Sequence, residues 1–151
     1  MNRLDLIRRV RSLTRDFSNA IFRESDIVDY INEGINRIRQ VIPELSGLAE
    51  LTDNAQSPDL LPKQYHHLLA LYSASRCFSQ DERHYQASNF MNEFETKLDE
   101  MKTSIEEGRI KIINPQTNQP INSTYEPDYV VDNYFKTTKL TDFDKGVEGV
   151  S

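Results

Sequence analysis

Histidine and cysteine most often carry nucleophilic, acid-base or metal chemistry, and this chain has three histidines and one cysteine. His66 and His67 are adjacent on a predicted helix, where successive side chains point about 100° apart, so both cannot bind one metal ion without distortion. Cys77 belongs to an apolar helix, which is typical of a buried, unreactive thiol. The chain has five glycines and no catalytic or phosphate-binding motif. The sequence therefore predicts a protein that is not an enzyme and needs no metal or cofactor.

Acidic side chains recur along the predicted fourth helix and could be taken for a carboxylate site. They are Glu93, Glu95, Asp99 and Glu100. A run of this kind is usually a solvated helix face, and we favour that interpretation. The alternative is an acidic surface that faces a passage for DNA, where like charge prevents the nucleic acid from adhering.

Arginines dominate the first predicted helix, where residues 3–15 contain five Arg and one Asp. Arg8, Arg9, Arg11 and Arg15 could contact phosphate groups or form salt bridges to the acidic surface of a neighbouring copy, and we favour the second interpretation. Residues 81–107 carry eight acids and three bases, so the two ends of the predicted body have opposite charge. Opposite charge favours head-to-tail contacts, which close into rings when the rotation permits. We predict that Arg8, Arg9 and Arg15 lie in a subunit interface.

Four amphipathic helices must position these side chains. Their apolar spacing predicts them at about residues 3–14, 24–42, 62–78 and 82–107. In the second helix, isoleucine recurs at spacings of 4, 4, 3 and 4 from Ile27 to Ile42, and Pro43 ends the helix. Either Arg23 or Ser25 could be its N-cap: the spacing of Phe22 and Ile27 favours Arg23, and side-chain chemistry favours Ser25. The third helix is apolar around most of its circumference, which indicates a central buried helix.

The segments around these helices carry further signals. Residues 44–61 form a long connection that should pack on the body or on a neighbour. Pro62 suits the first position of the third helix, and residues 79–81 supply a break and a cap before the fourth. Glu33 and Arg37 are spaced as an i,i+4 ion pair on the second helix.

The fourth helix is predicted to be unusually long for this chain. Its apolar residues at positions 87, 91, 94, 98, 101 and 105 form a heptad-like seam. At 1.5 Å per residue the helix would extend about 39 Å, which is longer than a body this small can cover. Part of it should therefore project or pack on another subunit.

The helical period is lost after Gly108, which divides the chain into a helical body, residues 1–108, and an extended, largely irregular arm, residues 109–151. Residues 109–113 alternate like a short strand, and turn signals follow. The arm has 14 apolar residues among 43, too many for an inert linker, so we expect it to bind a partner. Its predicted anchors are Tyr125, Tyr129, Tyr134 and Phe135. Deleting residues 114–151 should leave the body folded and weaken assembly.

The composition fits one all-α domain, a small four-helix bundle with a long fourth helix and an extended C-terminal arm. With 151 residues of which 37% are hydrophobic, the core is thin, which suits a subunit that buries surface against partners. One cysteine excludes an intrachain disulfide. The longest apolar run, residues 68–72, is too short to span a membrane, and the first residues do not begin a signal peptide, so we expect a soluble, non-secreted protein. A net charge of −6 argues against general nucleic-acid affinity.

Several short blocks of the body form a recognisable pattern. They are Leu13-Thr14-Arg15-Asp16, Phe22, and residues 26–34, 61–62, 65–69, 74–78 and 85–87. This pattern resembles the small helical head-to-tail connector, or adaptor, proteins of tailed bacteriophages. The match covers most of residues 1–108 and consists of packing and capping patterns rather than a chemical signature. It departs from the family at Arg23, where a small capping residue is favoured, and in the arm.

The resemblance implies a structural virion protein, assembled in the host cytoplasm, that forms a ring at the head-tail junction. Such a ring, commonly of twelve copies, lies beneath the portal and leads DNA from the capsid into the tail. Its partners would be itself, the portal protein and the next tail or neck component, without sequence-specific DNA binding or a membrane. Glu93, Asp99 and Glu100 would then be candidates for the channel surface. The alternative is a non-viral regulatory module that binds one partner through its C-terminal arm.

Overall fold

Four α-helices contain most of the residues that the computed structural model describes, which are residues 1–121. The helices are α1 (Arg3–Thr14), α2 (Glu24–Val41), α3 (His67–Gln80) and α4 (His84–Glu106), with 3-10 turns at Pro43–Leu45 and Lys63–Tyr65. A two-stranded antiparallel hairpin, β1 (Ile112–Ile113) and β2 (Pro120–Ile121), is the only sheet in that range. The predicted all-α class is therefore confirmed at the level of a mostly helical chain.

Helix α3 lies at the centre of the core and packs against α1, α2 and α4. Most of its residues are buried, from Leu68 to Phe78, so the predicted central helix is confirmed. Its start differs from the prediction, because Pro62 has an extended ψ of 137° and precedes a 3-10 turn. The α-helix itself begins only at His67.

The junction between α3 and α4 is not capped as predicted. Helix α3 continues to Gln80, and the chain then turns through Glu82, which has a left-handed φ of 60°. The N-cap of α4 is Arg83, whose side chain makes no capping hydrogen bond. The break between the helices therefore lies at residues 81–83, two residues later than predicted, and residues 79–81 do not cap α4.

Helices α2 and α3 approach each other closely at Gly34. A Cβ atom added at Gly34 would lie 3.3 Å from both Cβ and Cγ of Tyr72. The isoleucines that recur along α2, from Ile27 to Ile42, are all buried in the core.

Helix α2 begins after Arg23. Arg23 is its N-cap and makes no side-chain capping bond, so Ser25 is not the cap. Glu24 stands in the first turn instead, where its negative charge is favourable at the positive end of the helix dipole.

Helix α4 is covered by its own chain along nearly its whole length. It has 23 residues, and its buried side extends from Ala87 near the start to Ser104 near the end. The chain turns back after the helix, where the Arg109 N–H donates to the Ser104 carbonyl at 2.9 Å and Ile112 is buried. The heptad-like seam is therefore part of the intrachain core, and α4 does not project from the body. The other alternative, that part of α4 packs on another subunit, stays a prediction.

The first residues of the predicted arm pack on the body as a hairpin. Its strands pair Ile112 with Ile121 and Ile113 with Pro120. Of the strand predicted at residues 109–113 only Ile112–Ile113 forms, and a turn follows it as predicted. This hairpin belongs to the same compact unit as the helices, Met1–Ile121, and the division of the chain at Gly108 stays a prediction. The rest of the predicted arm lies outside the described residues.

The connection between α2 and α3 packs on the body, which is one of its two predicted positions. Its buried leucines are Leu45, Leu48, Leu51 and Leu61. The Asn32 side chain accepts the Leu51 N–H at 2.9 Å and donates to the Leu51 carbonyl at 3.2 Å. The Arg3 N–H donates to the Gln56 carbonyl at 2.8 Å, so the loop also satisfies a backbone donor at the start of α1.

Candidate interaction surfaces

His66 is a buried structural histidine. Its Nε2 donates to the Leu61 carbonyl at 2.9 Å, and its Nδ1 accepts from the amino group of Met1 at 3.1 Å. Burial lowers the pKa of His66, and the Leu61 carbonyl opposes this effect only in part. Because the unfolded chain binds the additional proton more readily, stability is retained above about pH 6.5 and falls as the pH drops below it.

Cys77 is buried on α3, as the sequence predicts. Burial raises the pKa of its thiol to about 12, so the nucleophilic thiolate is not populated near neutral pH. Within residues 1–121 there is no group of three or more His, Cys, Asp or Glu side chains that could hold a metal ion.

Exposed arginines on α1 and at its C-terminal end form a surface that we call the basic surface, defined as Arg8, Arg9 and Arg15. Their side chains face away from the core because the apolar residues of α1 occupy its opposite side. Arg8 lies 3.9 Å from Asp5, and no carboxylate in residues 1–121 lies within 4.0 Å of Arg9 or Arg15. All three predicted residues are exposed, and they have little internal neutralisation.

Asp16 organises the loop between α1 and α2. Its buried carboxylate accepts the N–H groups of Ala20, Ile21 and Phe22 at 3.0, 3.2 and 3.0 Å. Arg11 donates to the same carboxylate at 2.7 Å. Burial raises the pKa of Asp16, but the three N–H groups and the Arg11 charge outweigh it and hold the pKa below its usual value. Arg11 therefore has an internal role, unlike the exposed Arg8, Arg9 and Arg15.

Exposed acids on α4 form the acidic surface, defined as Glu93, Asp99 and Glu100. Glu100 lies 3.6 Å from Lys97. In the part of the chain that the structure describes, no basic group lies within 4.0 Å of Glu93 or Asp99. The acids are spread along a solvated face and do not converge on a point, so they do not form a carboxylate site.

Two other acids pair between helices. Arg37 on α2 donates to Glu95 on α4 through two hydrogen bonds of 3.0 and 3.2 Å. Arg76 on α3 contacts Glu33 on α2 at 2.9 Å. The predicted ion pair between Glu33 and Arg37 is therefore wrong, because each residue has its partner on a different helix.

No family model, curated protein or solved structure matches this chain. No helix within residues 1–121 is long and apolar enough to cross a membrane.

Three exposed apolar side chains are not indicated by the sequence patterns. Phe17, Ile21 and Tyr85 are 73%, 51% and 78% exposed. Phe17 and Ile21 lie between helices, where no period shows which side chains face inward. Their exposure follows from the hydrogen bonds to Asp16, a tertiary feature. The predicted arm anchors Tyr125, Tyr129, Tyr134 and Phe135 lie outside the described residues.

Proposed function

We propose that this chain is a structural subunit of a tailed-bacteriophage virion, a head-to-tail adaptor whose copies form a ring beneath the portal. The body would be a small four-helix bundle, and the ring would join the capsid to the tail and continue the DNA channel. One observation carries the proposal: a single small body exposes a basic surface on α1 and an acidic surface on α4, each with little internal neutralisation.

Opposite charges on two helices favour contact between α1 of one copy and α4 of the next. Such a contact joins two different surfaces, and it closes into a ring when the rotation between copies permits. Exposed ion pairs contribute about 0 to 1 kcal/mol each and are screened by salt. They would therefore set orientation and association rate, while apolar contacts supply most of the affinity.

Two further surfaces belong to the proposal. The arm anchors Tyr125, Tyr129, Tyr134 and Phe135 would bind an adjacent copy, the portal or the next tail component. Any part of the acidic surface that a neighbour leaves uncovered would line the DNA passage, where like charge keeps the nucleic acid moving freely. The function is structural and involves no reaction or cofactor.

Charge reversal tests the contact, with native mass measured over a concentration series in the presence and absence of the portal protein. The Arg8→Glu, Arg9→Glu variant should dissociate at concentrations where the parent chain is assembled. The Glu93→Lys, Asp99→Lys variant should do the same. A chain with all four substitutions restores opposite charges on the two surfaces and should assemble again.

A matched control is the Lys63→Glu, Lys111→Glu variant, which changes the net charge as the arginine variant does but at exposed residues outside the basic surface. This control should assemble normally. A chain that remains monomeric at every concentration, with and without the portal, would contradict the ring. Binding of a non-virion partner by that monomer would favour the regulatory module instead.

A further inference from the structure

Three large apolar side chains stand out from the body and have no role in its core. Phe17 and Ile21 lie on the loop between α1 and α2, and Tyr85 lies in the first turn of α4. Each is more than half exposed, and no other large apolar side chain in residues 1–121 is as exposed. Single exposed apolar residues are common on protein surfaces, whereas apolar patches bordered by charged residues mark interaction sites. Phe17 and Ile21 are four residues apart on one loop, between Arg15 and Arg23.

The loop that carries Phe17 and Ile21 is fixed in its conformation. Asp16 holds three of its N–H groups, and Phe22 at its end is buried in the core. Arg15 and Asn19 adopt left-handed conformations, with φ of 62° and 59°, which set the path of the chain. A loop that is already ordered loses little conformational entropy when it binds, so it is suited to present anchors.

We propose that Phe17 and Ile21 of one copy pack against Tyr85 of a second copy and form the apolar centre of the head-to-tail contact. This inference rests on the proposed function and specifies which residues supply the affinity that the ion pairs lack. Aromatic anchors at the centre of an interface, with charges around them, are the arrangement that concentrates binding energy.

The order of charges along the two helices supports this partner. On α1 the basic residues precede the loop, and the helical rise from Arg8 to Arg15 is about 10 Å. On α4 the exposed acids begin after Tyr85, and the rise from Tyr85 to Glu93 is about 12 Å. When the two helices lie antiparallel with Phe17 against Tyr85, Arg8 and Arg9 therefore come alongside Glu93, the first exposed acid of α4.

An anionic membrane is the other surface that a basic loop with exposed Phe17 and Ile21 could contact. The net charge of −6 opposes that contact, because an anionic lipid surface repels the chain as a whole. A second copy has the complementary charge and an exposed aromatic residue on one helix, and we therefore assign the loop to it.

Disulfide trapping tests the contact directly. Cys77 is buried, so a cysteine introduced at the surface is the reactive thiol of each variant. Equal amounts of the Phe17→Cys and Tyr85→Cys variants, mixed under mild oxidation, should form a disulfide-linked dimer containing one of each chain. Its yield should exceed by at least about fivefold the yield from Phe17→Cys mixed with Gln40→Cys, because a disulfide requires Cβ atoms about 4 Å apart. Gln40 is exposed on α2, outside both surfaces.

A second variant tests whether the two loop residues contribute to the affinity of self-association. The Phe17→Ser, Ile21→Ser variant keeps Asp16 and Phe22, so its unfolding temperature should match that of the parent chain, while its self-association weakens at least tenfold. Normal assembly of this variant, with equal trapping in the two mixtures, would overturn the inference and leave the ring intact. A permanently monomeric parent chain would overturn both proposals. Binding of the parent chain to phosphatidylserine vesicles, lost in the variant and without self-association, would assign the loop to a membrane.

Discussion

Replacing Asp16 by alanine should remove the group that holds the loop between α1 and α2. The carboxylate has no exposed surface, and it accepts three backbone N–H groups and the Arg11 guanidinium. The methyl group of alanine accepts none of these bonds. The perturbation therefore leaves three backbone donors without their acceptor and leaves the Arg11 guanidinium with only the Phe22 carbonyl.

The loss in free energy of unfolding comes from each hydrogen-bond partner of Asp16. The bond from the Phe22 N–H is buried, and leaving that donor unsatisfied costs about 1–3 kcal/mol. Ala20 and Ile21 are exposed, so water replaces the lost bonds there at little cost. The Arg11 side chain is 13% exposed and keeps a 3.0 Å bond to the Phe22 carbonyl, which limits its loss. We expect a total of about 3 kcal/mol, at the low end of the range for a broken buried ion pair.

Equilibrium unfolding in urea at pH 7 measures this loss. The Asp16→Ala variant should unfold at a lower midpoint with an unchanged slope, and its melting temperature should fall by on the order of 10 °C. The Asp16→Asn variant should lose nearly as much, because the amide NH2 would face either Arg11 or a backbone N–H. Asp29→Ala is the control, since Asp29 is exposed on α2, and it should change stability by less than about 0.5 kcal/mol.

The pH dependence gives an independent check. Since the pKa of folded Asp16 lies below its usual value, its contribution is present above about pH 4 and is lost as the pH falls further. The parent chain and the Asp16→Asn variant should therefore converge in stability under acid. A loss of less than about 1 kcal/mol in Asp16→Ala at pH 7, comparable to the Asp29→Ala control, would refute the role assigned to Asp16.

Three further outcomes are expected. Gly34→Ala should cost about 1 kcal/mol net in urea unfolding, because crowding against Cβ and Cγ of Tyr72 outweighs the gain in helix propensity. Gly47→Ala, whose nearest contact would be 3.8 Å away, should be nearly neutral. The parent chain should lose more stability between pH 7.5 and 5.5 than His66→Gln, which keeps a neutral donor and acceptor. Equal losses would contradict the buried neutral imidazole. Deleting residues 122–151 should leave the melting temperature unchanged and weaken assembly. Deleting residues 114–151 also removes β2, so this variant should melt at a lower temperature than the parent chain.

Hydrophobic periodicity predicts most of the fold. The bounds of α1 agree with the prediction, and those of α2 differ by one residue at the C-terminal end. Both helices have a strong apolar stripe on one side, and Pro43 gives α2 a definite end. The start of α3 is harder to predict, because the residues after Pro62 can form either a 3-10 turn or an α-helix, and packing decides between them.

The candidate surfaces are only partly predictable. Exposure of Arg8, Arg9 and Asp99 follows from helical spacing, since these residues lie opposite apolar positions. Helical spacing does not show that Arg11, unlike Arg8 and Arg9, has a buried partner within the chain, because that partner, Asp16, lies in an irregular turn. Periodicity likewise does not predict that Phe17 is exposed, since its exposure depends on how that turn folds.

The sequence by itself determines the helical class, the buried isoleucine and leucine stripes and the opposite charges of α1 and α4, because these depend on spacing within one element. The tertiary structure decides which charges pair. Glu33 and Arg37 are suitably spaced for an ion pair along α2, yet each pairs with a residue on another helix. It also decides that α4 is covered to its last turn, because the chain returns after Gly108 and buries Ile112. Contacts between distant segments cannot be read from local spacing, and they determine which residues remain exposed for a partner.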